Sequence, residues 1–186
     1  HHVLDCAQQY EQIVLEDFRF EYVSGRTPNP CVWCNSLIKF GALPKIARAS
    51  NIAFDAFATG HYARTAYDGK RWQLLQAVDR RKDQTYFLYR LTQQQLADVI
   101  FPLGSLTKDQ ARSISVEHGF FLPEKEESQD FYSGDYGDLV QAQPKRGPIV
   151  DTSNTVLGYH EGIWNFTIGQ RRGLKIAASR PLYVLA

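Results

Sequence analysis

Apolar side chains recur at helical spacing near the start of the chain. They stand at Ala7, Tyr10, Ile13, Val14, Phe18 and Tyr22. This period of about 3.6 residues predicts an amphipathic helix that leads into the segment 25–35. Pro28 and Pro30 each fix φ and remove a backbone donor in that segment, which predicts a shaped loop rather than a strand or helix. A helix is predicted over 41–48, because Pro44 fits its first turn.

The middle of the chain alternates short apolar runs with polar turns. The run 54–58 predicts a strand, and the turn at 67–70 predicts a β-hairpin. Asp83 is expected to cap a helix over 85–91. Two further helices with core-facing apolar sides are predicted by capping boxes, Thr92 with Gln95 and Thr107 with Gln110.

The pattern changes after residue 147, where short apolar runs are separated by glycine and asparagine turns. Such runs predict strands over 149–151, 156–158, 166–169 and 181–184. We therefore expect a helix-containing domain followed by a smaller β-rich one, with a boundary near residues 133–146.

Composition is that of an ordinary globular protein, with 44% hydrophobic and 22% charged residues in a chain of 186. No apolar run approaches the ~18 residues of a membrane span, and no signal-peptide pattern is present. Three cysteines, an odd number, favour a reducing cytoplasm over a disulfide framework. The sequence contains no methionine and opens in what looks like the middle of an element, so we expect it to be part of a longer protein.

The strongest chemical signal is the C-x-x-C pair formed by Cys31 and Cys34, with Trp33 between them. A cysteine close to a helix N-terminus can have a lowered thiol pKa and become reactive. A structural C-x-x-C or half of a zinc site is the alternative. A closed zinc site would lack ligands within this chain, because no second C-x-x-C or C-x-x-H is present.

Two other segments carry candidate binding residues. Gly60 and His61 follow the predicted strand, and ligands bind at the carboxyl ends of strands in a parallel sheet. The charged cluster 79–84 precedes Tyr86 and predicts a phosphate-binding patch. A strand-end histidine bonded to backbone and a solvated turn are the respective alternatives.

These stretches together resemble the tRNA-specific 2-thiouridylases, which thiolate the wobble uridine of certain tRNAs. The resemblance covers nearly the whole chain, and its blocks occur in family order. They are GRTPNPCVWCN (25–35), IKF (38–40), ATGHYAR (58–64), KDQTYFL (82–88), FPLGSLT (101–107), ESQD (127–130) and TIGQRRGL (167–174).

The resemblance implies an α/β fold in which a partial parallel sheet of the ATP-pyrophosphatase type (adenine nucleotide alpha hydrolase-like) is followed by a small, mainly β central domain. The first domain would be the C-terminal part of the catalytic domain and cover 1–132; the second would cover 133–186 and contact tRNA. The family's Ser-Gly-Gly-Val-Asp-Ser phosphate loop and C-terminal barrel are not in this sequence. We therefore expect this stretch alone to be catalytically incompetent.

The family mechanism implies that ATP, with Mg²⁺, adenylates O2 of the uracil before a cysteine persulfide delivers sulfur to C2. By position, Cys34 matches the nucleophile and Gly60 a nucleotide contact. Target-base and tRNA contacts match Asn29, Pro30, Cys31, His61, Lys82, Asp83 and Gln84. The implied partners of this cytoplasmic, monomeric enzyme are tRNA and a sulfur donor such as a cysteine desulfurase or a relay protein, with no membrane.

The sequence departs from the family at two positions. Many members carry Asp where this chain has Cys31. The persulfide cysteine expected after the Ser-Gln-Asp block is replaced by Tyr132, which cannot carry a persulfide. We hypothesise that sulfur chemistry moves to Cys31 and Cys34, either as persulfide plus resolving thiol or as ligands of an iron–sulfur cluster. Two thiolates fall short of the usual four cluster ligands.

Two alternative functions come from other classes. A non-catalytic tRNA-binding remnant would explain Tyr132, but it would have no reason to keep the C-x-x-C pair. Another ATP-pyrophosphatase-fold enzyme, adenylating a small molecule, is disfavoured by the blocks that face tRNA in the family.

Overall fold

A computed structural model describes residues 1–120, 132 and 136–186 of the chain. The chain divides into two compact units. The first comprises 1–13 and 31–129, and the second comprises 14–30 and 130–186. The second unit thus takes in residues 14–30, which no sequence signal indicated, while the division at 132/133 stays a prediction.

The predicted N-terminal helix is present as three consecutive segments. They are the α-helical turn Ala7–Tyr10, the π-helical turn Glu11–Leu15 and the α-helix Glu16–Val23. Val14, Phe18 and Tyr22 are buried, at 0%, 1% and 8% exposure. Their four-residue spacing places them on one face, as the hydrophobic period predicted.

The prediction of a loop over 25–35 is wrong beyond Asn29. Helix begins at Pro30 and continues through Pro30–Trp33, the π-helical Cys34–Ala42 and the α-helix Leu43–Ala49. Pro30 suits the first helical position, because its missing N–H would have no intrahelical partner there and its φ is already helical. Pro44 lies in the first turn of its segment, as predicted.

The described residues of the first unit form two short sheets. Strand β1 (Phe57–Ala58) pairs in parallel with β4 (Val99–Ile100), and β2 (Ala63–Tyr67) pairs antiparallel with β3 (Trp72–Gln76). The predicted strand and hairpin are therefore both confirmed, although the strand is shorter than the apolar run. The parallel pair and the surrounding helices agree with the predicted α/β class.

Both capping boxes are present, each with its reciprocal side-chain and backbone bonds. Gln93–Asp98 begins after Thr92, and Lys108–Glu117 begins after Thr107. Short 3₁₀ turns occupy Thr85–Phe87 and Pro102–Ser105. The core of this unit is formed by Phe40, Ala63, Leu88, Leu91, Leu96, Val99 and Phe101.

Two expectations about these helices are wrong. The helix predicted over 85–91 is only the turn Thr85–Phe87, because Leu88 and Leu91 turn into the core and are 1% and 8% exposed. The apolar side of Lys108–Glu117 is not core, since Ile114 and Val116 are 45% and 56% exposed. Helical spacing predicts an apolar face but not what covers it.

The second unit packs the helix Glu16–Val23 against the short helix Tyr136–Val140 through Phe18, Tyr22 and Val140. Strand β5 (Gly147–Val150) pairs antiparallel with β6 (Val156–His160), and a 3₁₀ turn follows at Ile163–Asn165. The predicted strands at 166–169 and 181–184 do not form. Two backbone bonds still join 169–170 to Val184.

Candidate active site

Cys31 and Cys34 lie in the first turns of the helical stretch that starts at Pro30. Residues three apart in a helix share a face, so the two thiols are neighbours on one side of it. Both side chains are partly buried. This arrangement brings together the two cysteines that the sequence analysis singled out and leaves each with limited access to solvent.

The environment of Cys34 keeps its thiol protonated. Burial raises the pKa of Cys34, and the neighbouring Cys31 acts in the same direction, while the positive charge of Lys39 opposes them. The pKa of Tyr10 is also raised, first by burial and then by Cys34 and Cys31. The lowered thiol pKa considered for this cysteine therefore does not apply to this state, because desolvation outweighs the nearby cation.

His61 follows the carboxyl end of β1, where the parallel-sheet rule places ligands. Burial, with a smaller effect from Lys39, lowers the pKa of His61 to about 4. The ring is therefore neutral at physiological pH. Its Nδ1 lies 2.9 Å from the Thr59 hydroxyl, and the ring packs against Phe40 and Phe101.

Gly60 is exposed beside this histidine. A Cβ added at Gly60 would meet only the Leu103 side chain, at 3.7 Å, which is ordinary contact. Packing among the described residues therefore leaves room for a Cβ at this position. A requirement for close approach of a ligand to the backbone would account for glycine there.

The helical stretch that carries Cys31 and Cys34 contacts the segment 87–90. The Arg90 guanidinium lies over the Trp33 ring, and Asn35 Nδ2 donates to the Phe87 carbonyl. Asn35 is 5% exposed, and its Oδ1 has no hydrogen-bond partner in the described part of the chain. Asn35, which directly follows Cys34, therefore has a buried side-chain oxygen that accepts no hydrogen bond from the described residues.

Members of the charged cluster make internal bonds, among them Asp83 and Gln84. Asp83 accepts from the Ala77 N–H and from both the N–H and hydroxyl of Thr85. Gln84 exchanges bonds with the backbone of Tyr62, its side-chain oxygen accepting at 2.9 Å and its N–H donating at 2.9 Å. These bonds join the two side chains to Tyr62 and Ala77, which flank the strands of the hairpin. Contact of Asp83 and Gln84 with tRNA stays a prediction. Lys82 is partly buried.

The remaining predicted residues are placed as follows. Asn29 is partly buried just before the helix, and Pro30 is buried as its first residue. Tyr132 is partly buried, whereas the block 127–130 that precedes it lies outside the described residues. The target-base role of Asn29 and Pro30 stays a prediction.

Sequence reasoning missed Lys39 and Tyr10 as residues of this site. Lys39 lies five residues after Cys34 in the same helical stretch, so its charge could have been anticipated had the helix been recognised. Tyr10 comes close to the cysteines only through the tertiary fold, and no local signal marks it.

Metal-ligating side chains do not cluster among the described residues of this site. Within the described ranges, no group of three or more histidine, cysteine or acidic side chains is arranged to hold a metal ion. Cys31 and Cys34 therefore do not by themselves fit a closed iron–sulfur site. In those ranges, too, every helix is too short or too polar to cross a bilayer.

Comparison with known proteins assigns both parts of the chain. Residues 1–132 match the tRNA methyl transferase HUP domain, and residues 139–186 match the tRNA methyl transferase PRC-barrel domain. A tRNA-specific 2-thiouridylase MnmA from Endomicrobium trichonymphae is 52% identical over 99% of this chain and 52% of its own length. The protein of that name from Syntrophomonas wolfei is 47% identical over 100% of this chain and 56% of its own.

The chain spans about half the length of the curated relatives that it matches. The match to the HUP domain covers well over half of the chain. It confirms the ATP-pyrophosphatase-like α/β class and the resemblance inferred from the motifs. The chain therefore belongs to the tRNA methyl transferase HUP domain family, and the curated relatives that it matches are named tRNA-specific 2-thiouridylases.

Proposed function

We propose that the complete protein carrying this chain is an ATP-dependent tRNA-uridine 2-sulfurtransferase that makes 2-thiouridine at the wobble position. The observation that carries the proposal is the pair Cys31 and Cys34 on one helix face, in the unit that also presents Gly60 and His61 at the end of β1. The curated relatives that the chain matches are named as 2-thiouridylases.

The first step activates the base. The uracil O2 attacks the α-phosphorus of ATP, pyrophosphate leaves, and C2 becomes electrophilic. Gly60 allows the nucleotide to approach the backbone, because no Cβ intervenes. Mg²⁺ would neutralise charge on the leaving pyrophosphate. Neutral His61 is suited to hydrogen bonding with tRNA rather than to pairing with a phosphate.

The second step transfers sulfur within the cysteine pair. The terminal sulfur of a Cys34 persulfide attacks C2, and AMP leaves with the former O2. The Cys31 thiolate then attacks Cys34 Sγ, which releases 2-thiouridine and forms a Cys31–Cys34 disulfide. An external dithiol reduces that disulfide, and a donor of the cysteine desulfurase or relay class reloads the persulfide. This mechanism requires no cysteine at position 132, where the chain has Tyr132.

Other parts of the proposal concern the surroundings of the reaction. Asn29, Pro30, Cys31, Lys82, Asp83 and Gln84 contact the target base and tRNA, and the side chains of Asp83 and Gln84 also shape their turn. The enzyme works as a cytoplasmic monomer. An iron–sulfur cluster is the second candidate for sulfur delivery, favoured by the C-x-x-C pair alone, and it would require ligands beyond the described residues.

The test is nucleoside analysis of tRNA thiolated by the full-length protein, purified without oxygen. We expect 2-thiouridine with ATP and a persulfide donor, no detectable product from the Cys34→Ser variant, and a large loss for Cys31→Ser. Undiminished thiolation by Cys31→Ser would overturn the relay within the pair. Iron and acid-labile sulfide that disappear in that variant would favour the cluster instead. Wild-type protein that binds tRNA but makes no 2-thiouridine with ATP and a persulfide donor would favour the non-catalytic remnant.

A further inference from the structure

The helical stretch that carries the two cysteines changes its geometry at Cys34. From Cys34 to Ala42 it is π-helical, so its backbone bonds join residues five apart instead of four. The Leu43 N–H, at its end, bonds to the Ile38 carbonyl. A π-helix of 9 residues is long, because this form occurs mostly as single turns, and such turns are frequent at functional sites.

The π-helical geometry is held by a side chain from another helix. Gln95 Nε2 donates to the Ser36 carbonyl at 2.6 Å and to the Phe40 carbonyl at 3.0 Å. The Ser36 hydroxyl donates in turn to the Val32 carbonyl at 2.8 Å. A side chain that bonds into the backbone ladder of a helix changes the local helix geometry. Tertiary contacts therefore fix the backbone on both sides of Lys39.

This geometry decides which side chain shares a face with Cys34. One turn of α-helix takes ~3.6 residues, so a residue five positions further on points away from the first. A π-helical turn takes more residues, and Lys39 therefore returns to the side of Cys34. In agreement, the positive charge of Lys39 acts to lower the pKa of Cys34, against the larger effect of burial.

The same charge reaches the carboxyl end of β1. Lys39 contributes, after burial, to the lowered pKa of His61. The ring of the next residue, Phe40, lies 5.7 Å from the His61 ring between centroids. Lys39 is therefore close both to the reactive cysteine and to the segment that presents Gly60 and His61.

The ammonium group of Lys39 has no ion partner among the described residues. Its side chain is partly buried, and no carboxylate of the described ranges pairs with it. Withdrawing an unpaired ammonium from water costs free energy. Stability of the helix therefore does not account for a lysine here, whereas an anion brought by the reaction would supply the partner.

We infer that Lys39 acts electrostatically on sulfur transfer, as the cation that counters the two negative charges that meet in this step. This inference rests on the proposed function. The terminal sulfur of the Cys34 persulfide is anionic, and the adenylated uridine carries a phosphate on O2. As the sulfur–C2 bond forms and the C2–O2 bond breaks, the electron pair of the broken bond leaves with AMP. A fixed cation close to both groups reduces their repulsion and stabilises the charge that develops on the leaving oxygen.

The test is single-turnover thiolation of tRNA by the full-length Lys39→Gln variant, after its persulfide loading has been checked by mass spectrometry. We expect the rate constant of thiolation to fall about tenfold or more, while KM for ATP and for tRNA changes less than about twofold. Lys39→Arg keeps the charge and should restore most of the rate. The free energy of unfolding of Lys39→Gln should equal or exceed that of wild type, because no ion pair is lost.

Two control variants make the result specific to the position of the charge. Lys45→Gln removes the same charge from an exposed position of Leu43–Ala49 and should leave the rate unchanged. Leu37→Lys/Lys39→Gln moves the charge to a residue that is 40% exposed and should not restore the rate.

The outcomes separate this inference from the proposed function. A Lys39→Gln rate within about twofold of wild type, with wild-type protein that thiolates tRNA, overturns this inference alone. A slower rate with a lower free energy of unfolding, not restored by Lys39→Arg, would make the role structural and would also overturn it. Wild-type protein that makes no 2-thiouridine overturns the proposed function, and this inference with it.

Discussion

The guanidinium of Arg90 lies 4.0 Å from the centre of the Trp33 ring, and Trp33 stands between the two cysteines. On the same helix, Asn35 donates to the Phe87 carbonyl at 3.3 Å. Trp33 and Asn35, the residues on either side of Cys34, therefore both contact the segment 87–90. These contacts hold the helical turn that carries Cys34.

The attachment can be weakened at Arg90. Arg90→Gln should lower the free energy of unfolding by about 0.5–1 kcal/mol, because an exposed cation–π contact contributes that much. Arg90→Lys should retain part of it. Urea unfolding followed by tryptophan fluorescence measures both. Equal stability of the Gln variant and wild type would show that this contact does not hold the helix.

The reactivity of Cys34 should rise late in a pH titration. Burial raises the pKa of this thiol, so the rate of iodoacetamide labelling should still be increasing at pH 9. Lys39→Gln should shift the profile to higher pH, because Lys39 favours the thiolate. A Cys6→Ser/Cys31→Ser background isolates the signal. A rate that levels off near pH 7 would contradict the assigned environment.

Gly60 and Gly104 should respond differently to alanine. A Cβ at Gly60 has room, whereas at Gly104 it would fall 1.7 Å from the Ala63 carbonyl oxygen. Gly60→Ala should therefore fold with an unfolding free energy within about 0.5 kcal/mol of wild type and lose ATP binding. Gly104→Ala should be strongly destabilised.

Calorimetry and nucleotide titration of the full-length variants separate these effects. Normal ATP binding by Gly60→Ala would remove its proposed role.

His61 makes stability depend on pH. Its folded pKa of about 4 lies below the unfolded value of ~6.5, so the unfolded chain takes up a proton first as pH falls. The contribution of neutral His61 to the free energy of unfolding is present in full above pH ~6.5 and is lost as the pH falls towards 4. The loss should be roughly 2 kcal/mol once solvent screening is allowed for.

His61→Gln should remove this part of the pH dependence. Urea unfolding at pH 7, 6, 5 and 4 gives the measurement. A variant whose stability falls as steeply as that of wild type over this range would contradict the burial of an uncharged imidazole.

Lys82 and Asp83 should also separate into two kinds of effect. Asp83→Ala leaves the N–H groups of Ala77 and Thr85 without their acceptor and should cost about 1–3 kcal/mol of stability. Lys82→Gln should leave stability within about 0.5 kcal/mol and weaken tRNA binding. Circular dichroism melts and anisotropy provide the readouts. Weakened binding by Asp83→Asn at unchanged stability would instead support direct contact with tRNA.

Local signals in the sequence determined several elements correctly. The capping boxes at Thr92 and Thr107 begin helices because both partners of each box lie within four residues. The hairpin at 67–70 and the N-terminal helical face depend on equally short-range patterns. The family resemblance was also readable, since its motifs are continuous stretches of chain. Where one or two turns of chain contain all the interacting groups, sequence suffices.

Other features were decided only by tertiary structure. The turn at 85–87 replaces a predicted helix because Leu88 and Leu91 both enter the core, and Ile114 remains exposed although its spacing suits a buried face. At the site, Tyr10 meets the cysteines from elsewhere in the chain, and burial raises the pKa of Cys34 against the effect of Lys39. Desolvation depends on everything packed around a group, so a thiol's pKa follows from the folded environment and not from the C-x-x-C spacing that identifies it.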